Sequence, residues 1–375
     1  MRHLNNKRIS SAIIVFYTLI SLVIIFEKDI FSIYDKYSIF ILMVLSIFSF
    51  CVNPIIRRGE LIFVILFAIY LGVAIKINNG GIGSIFTFLI PVLMLISYKN
   101  SIFSKKQESI VKHTCVIIIL FLLIESIIYH GDWYYYRFNA INPNTMGMYG
   151  AFSLMTWFAF ADLKKNDRIK AIILSILVLV SMILYESRAT MAITIMYVIV
   201  VFYFEKFIQK KTVIISSLCI MIIGVLIPFI YLSLFTNGIE FTILGKSLYT
   251  GRELIWASMI SKLNSSIGWL FGLGSNVTYW NDTVTNVHNN YFAVIIDFGI
   301  IGFVLYFGLL MKTLISIDHY ENPQIRRLVL QFIFFVMFLG FTEVTTLYST
   351  IYPLSLLGIG WASSMNSKIE GNTYG

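Results

Sequence analysis

Residues 212–235 read TVIISSLCIMIIGVLIPFIYLSLF, with no charged side chain among them. A helix of about 20 apolar residues crosses the roughly 30 Å hydrocarbon core of a bilayer. This stretch therefore reads as a membrane span. Outward from it the pattern recurs at about 9–26, 37–52, 60–77, 82–98, 110–129, 144–162, 168–185, 187–207, 288–311, 325–347 and 349–363. With 212–235 that gives about twelve spans, the fourth and last interrupted by Pro91 and Pro353. Composition agrees: 58% of residues are hydrophobic and 13% charged, with a mean hydropathy of +0.83. Soluble domains carry about 25% charged residues. The ten-residue alternating strands of an outer-membrane barrel are absent. The expected fold is all-α: a polytopic transmembrane helical bundle forming a single integral membrane domain over 1–375.

Charge placement gives an orientation. With the N-terminus inside, 20 of the 28 lysines and arginines fall in inner segments and 8 in outer ones. That asymmetry follows the positive-inside rule and predicts an N-in, C-in chain. The net charge of +9 is then mostly a topology signal. Nucleic acid is not an expected partner, because no soluble domain carries a basic face. Arg2, Lys7 and Arg8 precede the first span with no small-residue cleavage site after it, so it reads as an uncleaved anchor. Cys51, Cys115 and Cys219 all lie within apolar spans and offer no paired metal spacing.

Two outer loops are long: 129–144 and 236–287. The second is expected to be the sizeable extracytoplasmic piece, with a short helix near 251–263. Thr250 and Glu253 have capping-box spacing, which starts that helix near Gly251. Arg252 and Trp256 then share a face. The GWLFGLGSN that follows reads as turns, and the C-terminal SKIEGNTYG reads as disordered.

Several polar groups stand where apolar helices begin. Ser187 is a candidate cap that leaves Arg188 in the first turn of the eighth span. His288, with Asn286, Asn289 and Asn290, opens the tenth, and Asn286 is a plausible cap. Asn142, Pro143 and Asn144 open the sixth, with Arg137 just upstream. Glu343 lies near the outer end of the eleventh. Each alone fits a plain role: Arg188 as an interfacial anchor or a partner of Glu186, Arg252 as a solvated loop residue, His288 as a polar helix start. Together they share one end, because spans six, eight and ten all point their N-termini outward. Helix N-termini and cationic side chains there suit a strongly anionic group such as a diphosphate.

The ordered set SRAT at 187–190, TGRELIW at 250–256, FGLGSN at 271–276 and VHNNYFAVIIDFGIIGF at 287–303 resembles the O-antigen polymerase/ligase family of bacterial polysaccharide assembly. INPNTMG at 141–147 is similar to that family's upstream asparagine-proline element. The match covers about 137–310; the first five spans share only hydropathy. The resemblance implies a fold like that of C-superfamily glycosyltransferases, in the bacterial cytoplasmic (inner) membrane with its site on the extracytoplasmic side. It implies a glycan donor on undecaprenyl diphosphate, with no metal and no cofactor. Arg188, Arg252 and His288 would be the catalytic residues. Arg137, Asn142, Asn144, Asn286, Asn289, Trp256 and Glu343 would bind substrate, with Glu343 paired to an arginine.

The expected activity is polymerisation of lipid-linked repeat units into O-antigen or capsular polysaccharide. Its partners would be membrane lipid, the lipid-linked oligosaccharide as donor and acceptor, a flippase and a chain-length regulator. A ligase using the same donor with a lipid-core or protein acceptor is the alternative. A lipid-linked oligosaccharide flippase is a second one, disfavoured because transporters carry internal repeats and midplane charges. Tyr134, Tyr135, Tyr136, Trp269 and Trp280 stand with Trp256 as candidates for stacking on sugars, against the plainer reading of an interfacial aromatic belt.

Overall fold

The computed structural model describes residues 44, 58–78, 83–99, 104–131, 143–163, 167–239, 242–243, 246–247, 251–264, 266–274, 287–345 and 355–373. Helices follow the apolar stretches: α1 (Arg58–Asn78), α2 (Gly83–Lys99), α3 (Lys105–Ile128), α4 (Pro143–Phe160), α5 (Arg168–Leu184), α6 (Arg188–Ile199) and α7 (Lys210–Thr236). Next come α8 (Arg252–Lys262), α9 (Ser266–Phe271), α10 (Asn290–Ile315), α11 (Pro323–Gln331) and α12 (Leu357–Thr373). Two of these helices change pitch without stopping. The α6 helix runs on through wide turns at Val200–Phe204 to Phe207, and α11 through Phe332–Phe338 to Phe341. A two-residue antiparallel ladder joins Thr242–Ile243 to Lys246–Ser247.

Among the described residues, five helices are long and apolar enough to cross a membrane: Lys105–Ile128, Arg188–Phe207, Lys210–Thr236, Asn290–Ile315 and Pro323–Phe341. Their outer faces are as apolar as the interior. Ile117, Ile124, Ile222 and Val304 are each more than half exposed, an outward pattern that suits hydrocarbon rather than water. These are the features of a membrane protein. The expected first two spans lie outside the described residues, apart from Val44. At the other end the helix runs Leu357–Thr373, later than the expected 349–363, and it carries through most of the tail that reads as disordered. No proline follows Pro353 to stop it.

The centre is the antiparallel pair α4 and α11. Arg327 donates to the Ala161 carbonyl at 2.6 Å and the Phe158 carbonyl at 3.3 Å. Gln331 donates to Thr156 at 2.7 Å. The Phe335 and Phe152 rings meet edge-on at 5.2 Å. Asn144 bonds Glu343 at the far end. Steps along one helix are thus met by equal steps along the other. The Arg327 end also carries a buried ion pair, with Nε 3.0 Å from Glu205 Oε2. Arg327 reads in sequence as an inner-loop charge, yet it is 5% exposed. It supplies donors to carbonyls at the end of α4, where helical partners run out.

The α10 helix is broken at Gly299, where φ is 65°. The short α9 and the residues after it dock into the break. Leu273 N–H donates to the Ile296 carbonyl at 2.6 Å and Gly274 N–H to the Asp297 carbonyl at 3.2 Å. The Tyr70 hydroxyl donates to the Phe298 carbonyl. Backbone groups freed inside a membrane-grade helix must find partners within the protein, and this segment supplies them. GWLFGLG is therefore a docked strut rather than a free run of turns. A Cβ at Gly299 would run into the Leu270 carbonyl.

Candidate functional site

Four elements deliver one polar group each to one end of the bundle. Asn144 is the second residue of α4, behind Pro143, whose fixed φ suits a first helical position. Arg252 is the first residue of α8. That helix starts at Gly251 in the left-handed region, φ 88°, and the Glu253 carboxylate accepts from the Gly251 N–H at 3.1 Å. The cap is Gly251, one residue later than the spacing of Thr250 and Glu253 predicts; Thr250 lies outside the described residues. His288 stands just ahead of α10. Glu343 follows the last turn of α11's extension, its N–H donating to the Leu339 carbonyl at 3.0 Å.

Glu343 is where they meet. Its Oε2 lies 3.2 Å from His288 Nδ1. Its Oε1 accepts from Asn144 Nδ2 at 3.3 Å and lies 3.7 Å from an Arg252 guanidinium nitrogen. The carboxylate side chain is 8% exposed, against 26% for His288 and 25% for Arg252. The acid is thus the floor of the cluster, and the two basic groups form its more open side. A carboxylate only accepts, so Nδ1 of His288 carries the hydrogen and Nε2 holds the basic lone pair.

His288 is held under strain. Its φ is 51°, a left-handed conformation that costs a non-glycine residue about 1–3 kcal/mol. Two neighbours fix it there. Trp256 Nε1 donates to the Val287 carbonyl at 2.9 Å, tying α8 to the residue before His288. Asn289 caps α10 on the other side, its Oδ1 accepting from Phe292 N–H at 2.8 Å. The Asn289 amide also donates to the Gly224 carbonyl at 3.1 Å. Asn289, not Asn286, is the observed cap, and α10 begins at Asn290 rather than at His288.

Other expected site residues are placed differently. Asn289 is fully buried and Trp256 is 2% exposed. The Trp256 ring meets Tyr231 edge-on at 5.2 Å, so both act as braces inside the protein. Trp269 stacks on Phe229 at 6.1 Å. Arg188 lies 3.8 Å from Glu186, and both side chains are more than half exposed. Among the described residues no ion pair or hydrogen bond joins Arg188 to Glu343. It is nonetheless at the same end, because Ser187 packs directly against Gly147, one turn along α4 from Asn144. Ser187 forms no side-chain cap on α6, since its hydroxyl is turned into that contact. Arg137, Asn142 and Asn286, with Tyr134, Tyr135, Tyr136 and Trp280, lie outside the described residues.

The arrangement offers a histidine with a fixed tautomer, a guanidinium and an amide on one buried carboxylate. Among the described residues no three His, Cys, Asp or Glu side chains converge as ligands for a metal. No family model matches the chain, and no curated protein matches it.

Proposed function

We propose that the chain is a glycosyltransferase that polymerises polyprenyl-diphosphate-linked repeat units on the extracytoplasmic face of a bacterial cytoplasmic membrane. The observation that carries this reading is the convergence of Arg252, His288 and Asn144 on Glu343, at the end of the bundle where α4, α6, α8 and α10 all begin. Helix N-termini and guanidinium groups both favour a diphosphate. The orientation comes from the positive-inside asymmetry.

In the proposed reaction an acceptor hydroxyl attacks the anomeric carbon of the donor sugar. The new carbon–oxygen bond forms as the bond to the diphosphate breaks, and the lipid diphosphate leaves with the electron pair. His288 Nε2 takes the hydroxyl proton, with Glu343 stabilising the imidazolium through Nδ1. Arg252 meets the charge that develops on the leaving oxygen. It keeps donors for this beyond those facing Glu343, since a guanidinium carries five N–H groups. Arg188, weakly held by an exposed pair, supplies the second guanidinium. Removing one such donor costs roughly 10²–10³ in turnover.

The test is a strain in which the chain is replaced by Arg252→Ala, His288→Ala or Arg188→Ala. Each protein should insert normally while long-chain polysaccharide is lost. A full chain-length ladder from all three would contradict the reading. The deletion strain separates polymerase from ligase: single repeat units on their final carrier mark a lost polymerase, and long unattached chains a lost ligase.

A further inference from the structure

The far end of α4 carries a second polar site that the proposed reaction does not use. Between the start of α3, the end of α4 and the start of α5 lies a cavity of about 570 Å³. It is about 25 Å of helix away from Asn144, on the opposite end of the bundle. Its charged lining is Lys105, Lys112 and Lys170 with Glu108 and Asp167, and His113 joins them. Its apolar lining includes Trp157, Ile173 and Leu174.

One buried carboxylate anchors the site. Asp167 is 9% exposed and holds Lys112 at 2.7 Å, with Lys170 at 3.9 Å. Burial pushes the Asp167 carboxyl up, but the Lys112 hydrogen bond, the Asp162 N–H and the two ammonium charges outweigh it and hold it low. Lys112 also lies 5.3 Å above the Trp157 ring, a cation–π contact that fixes its ammonium at the cavity wall. Glu108 takes Lys105 at 2.9 Å. Three ammonium groups thus face two carboxylates, and Lys105 and Lys170 keep 89% and 69% of their side chains exposed. Ile173, half exposed, continues the apolar wall outward.

Three lysines lining one cavity with Trp157, Leu174 and the half-exposed Ile173 match an anionic amphiphile. We infer that this cavity binds the phosphate-bearing headgroup of an anionic membrane lipid. Lys105 and Lys170 meet the phosphate, the Lys112–Asp167 pair backs them, and an acyl chain runs along Trp157 and Ile173. The inference does not depend on the proposed reaction, since none of these residues belongs to the Glu343 cluster.

The test uses the full chain in neutral detergent and counts bound lipid by native mass spectrometry. Phosphatidylglycerol, phosphatidylcholine with the same acyl chains, and inorganic phosphate are the three probes. Phosphatidylglycerol should bind in preference to phosphatidylcholine. The double variant Lys105→Gln/Lys170→Gln should weaken it about 25-fold, or about fivefold per lysine removed. Both side chains are largely exposed, so the variant should fold. Lys106→Gln, an exposed neighbour outside the cavity, should change affinity less than twofold. Equal binding of phosphatidylcholine, or an unchanged double variant, would overturn the inference. Lysine-dependent binding of inorganic phosphate as tight as that of the lipid would assign the site to a soluble anion and overturn the lipid.

Discussion

Glu343 Oε2 stands 3.2 Å from His288 Nδ1, across 55 residues of chain. One carboxylate thereby fixes which imidazole nitrogen carries the hydrogen, while its other oxygen faces Arg252 and Asn144. It couples the group expected to take a proton to the group expected to meet the departing diphosphate. Glu343→Gln keeps the shape and removes the charge. The tautomer is then no longer enforced, and elongation by purified protein should fall by about the 10–100-fold that losing a carboxylate behind a metal-bound histidine costs. The protein should still insert and elute as the wild type does. Wild-type turnover in Glu343→Gln would show that the pair does not position His288.

The break in α10 gives a prediction about stability alone. Gly299→Ala places a Cβ against the Leu270 carbonyl at a φ of 65°. Strain of this kind costs about 1–3 kcal/mol before the clash is counted. A lower unfolding temperature is expected. Gly308→Ala lies on the same helix with open space around it and should be neutral or slightly stabilising. Equal melting of the two variants would argue against the docked strut.

At the other end of α11, Arg327 and Glu205 form a buried pair at 3.0 Å. Arg327→Met leaves Glu205 with the longer contact to Arg326 at 3.5 Å, and the end of α4 without its donors. Breaking one side of a buried pair costs about 3–5 kcal/mol. Arg327→Met combined with Glu205→Leu should recover part of that loss in a denaturant series. A double variant worse than the sum of the singles would contradict the pairing.

Asp167 gives a pH dependence whose sign is fixed. Its carboxyl is held low in the folded protein, below the roughly 3.9 of an unfolded chain. The stability it contributes is therefore present above about pH 4 and is lost as pH falls through the lower folded value. Asp167→Asn should be less stable at neutral pH and should lack this acid-side loss. Thermal unfolding from pH 6 downward reads both curves.

The helices were legible because hydrocarbon imposes a run length that the chain states directly, as at 212–235 and 288–311. The short α8 was legible from local spacing, although its cap moved from Thr250 to Gly251, since a left-handed glycine can start a helix without a side-chain acceptor. Asn289 and Asn286 were harder to separate. Both are good caps, and the choice fell to Asn289 through its bonds to Phe292 and Gly224. The docking of Leu273 and Gly274 into α10 left no local trace, because a glycine-rich stretch does not name its partner. Glu343 could be placed near the cluster by topology. Its role as the shared partner of Asn144, Arg252 and His288 comes from four segments meeting in space, which no spacing along the chain encodes.

The most direct measurement is elongation by the purified full chain given lipid-linked repeat units and excess EDTA, with wild type, Arg252→Ala and His288→Ala side by side. The wild type should give a ladder of products, and each variant, folded and inserted, only unextended donor. A normal ladder from either variant, or a wild-type ladder that forms only when Mg²⁺ is restored, would contradict it.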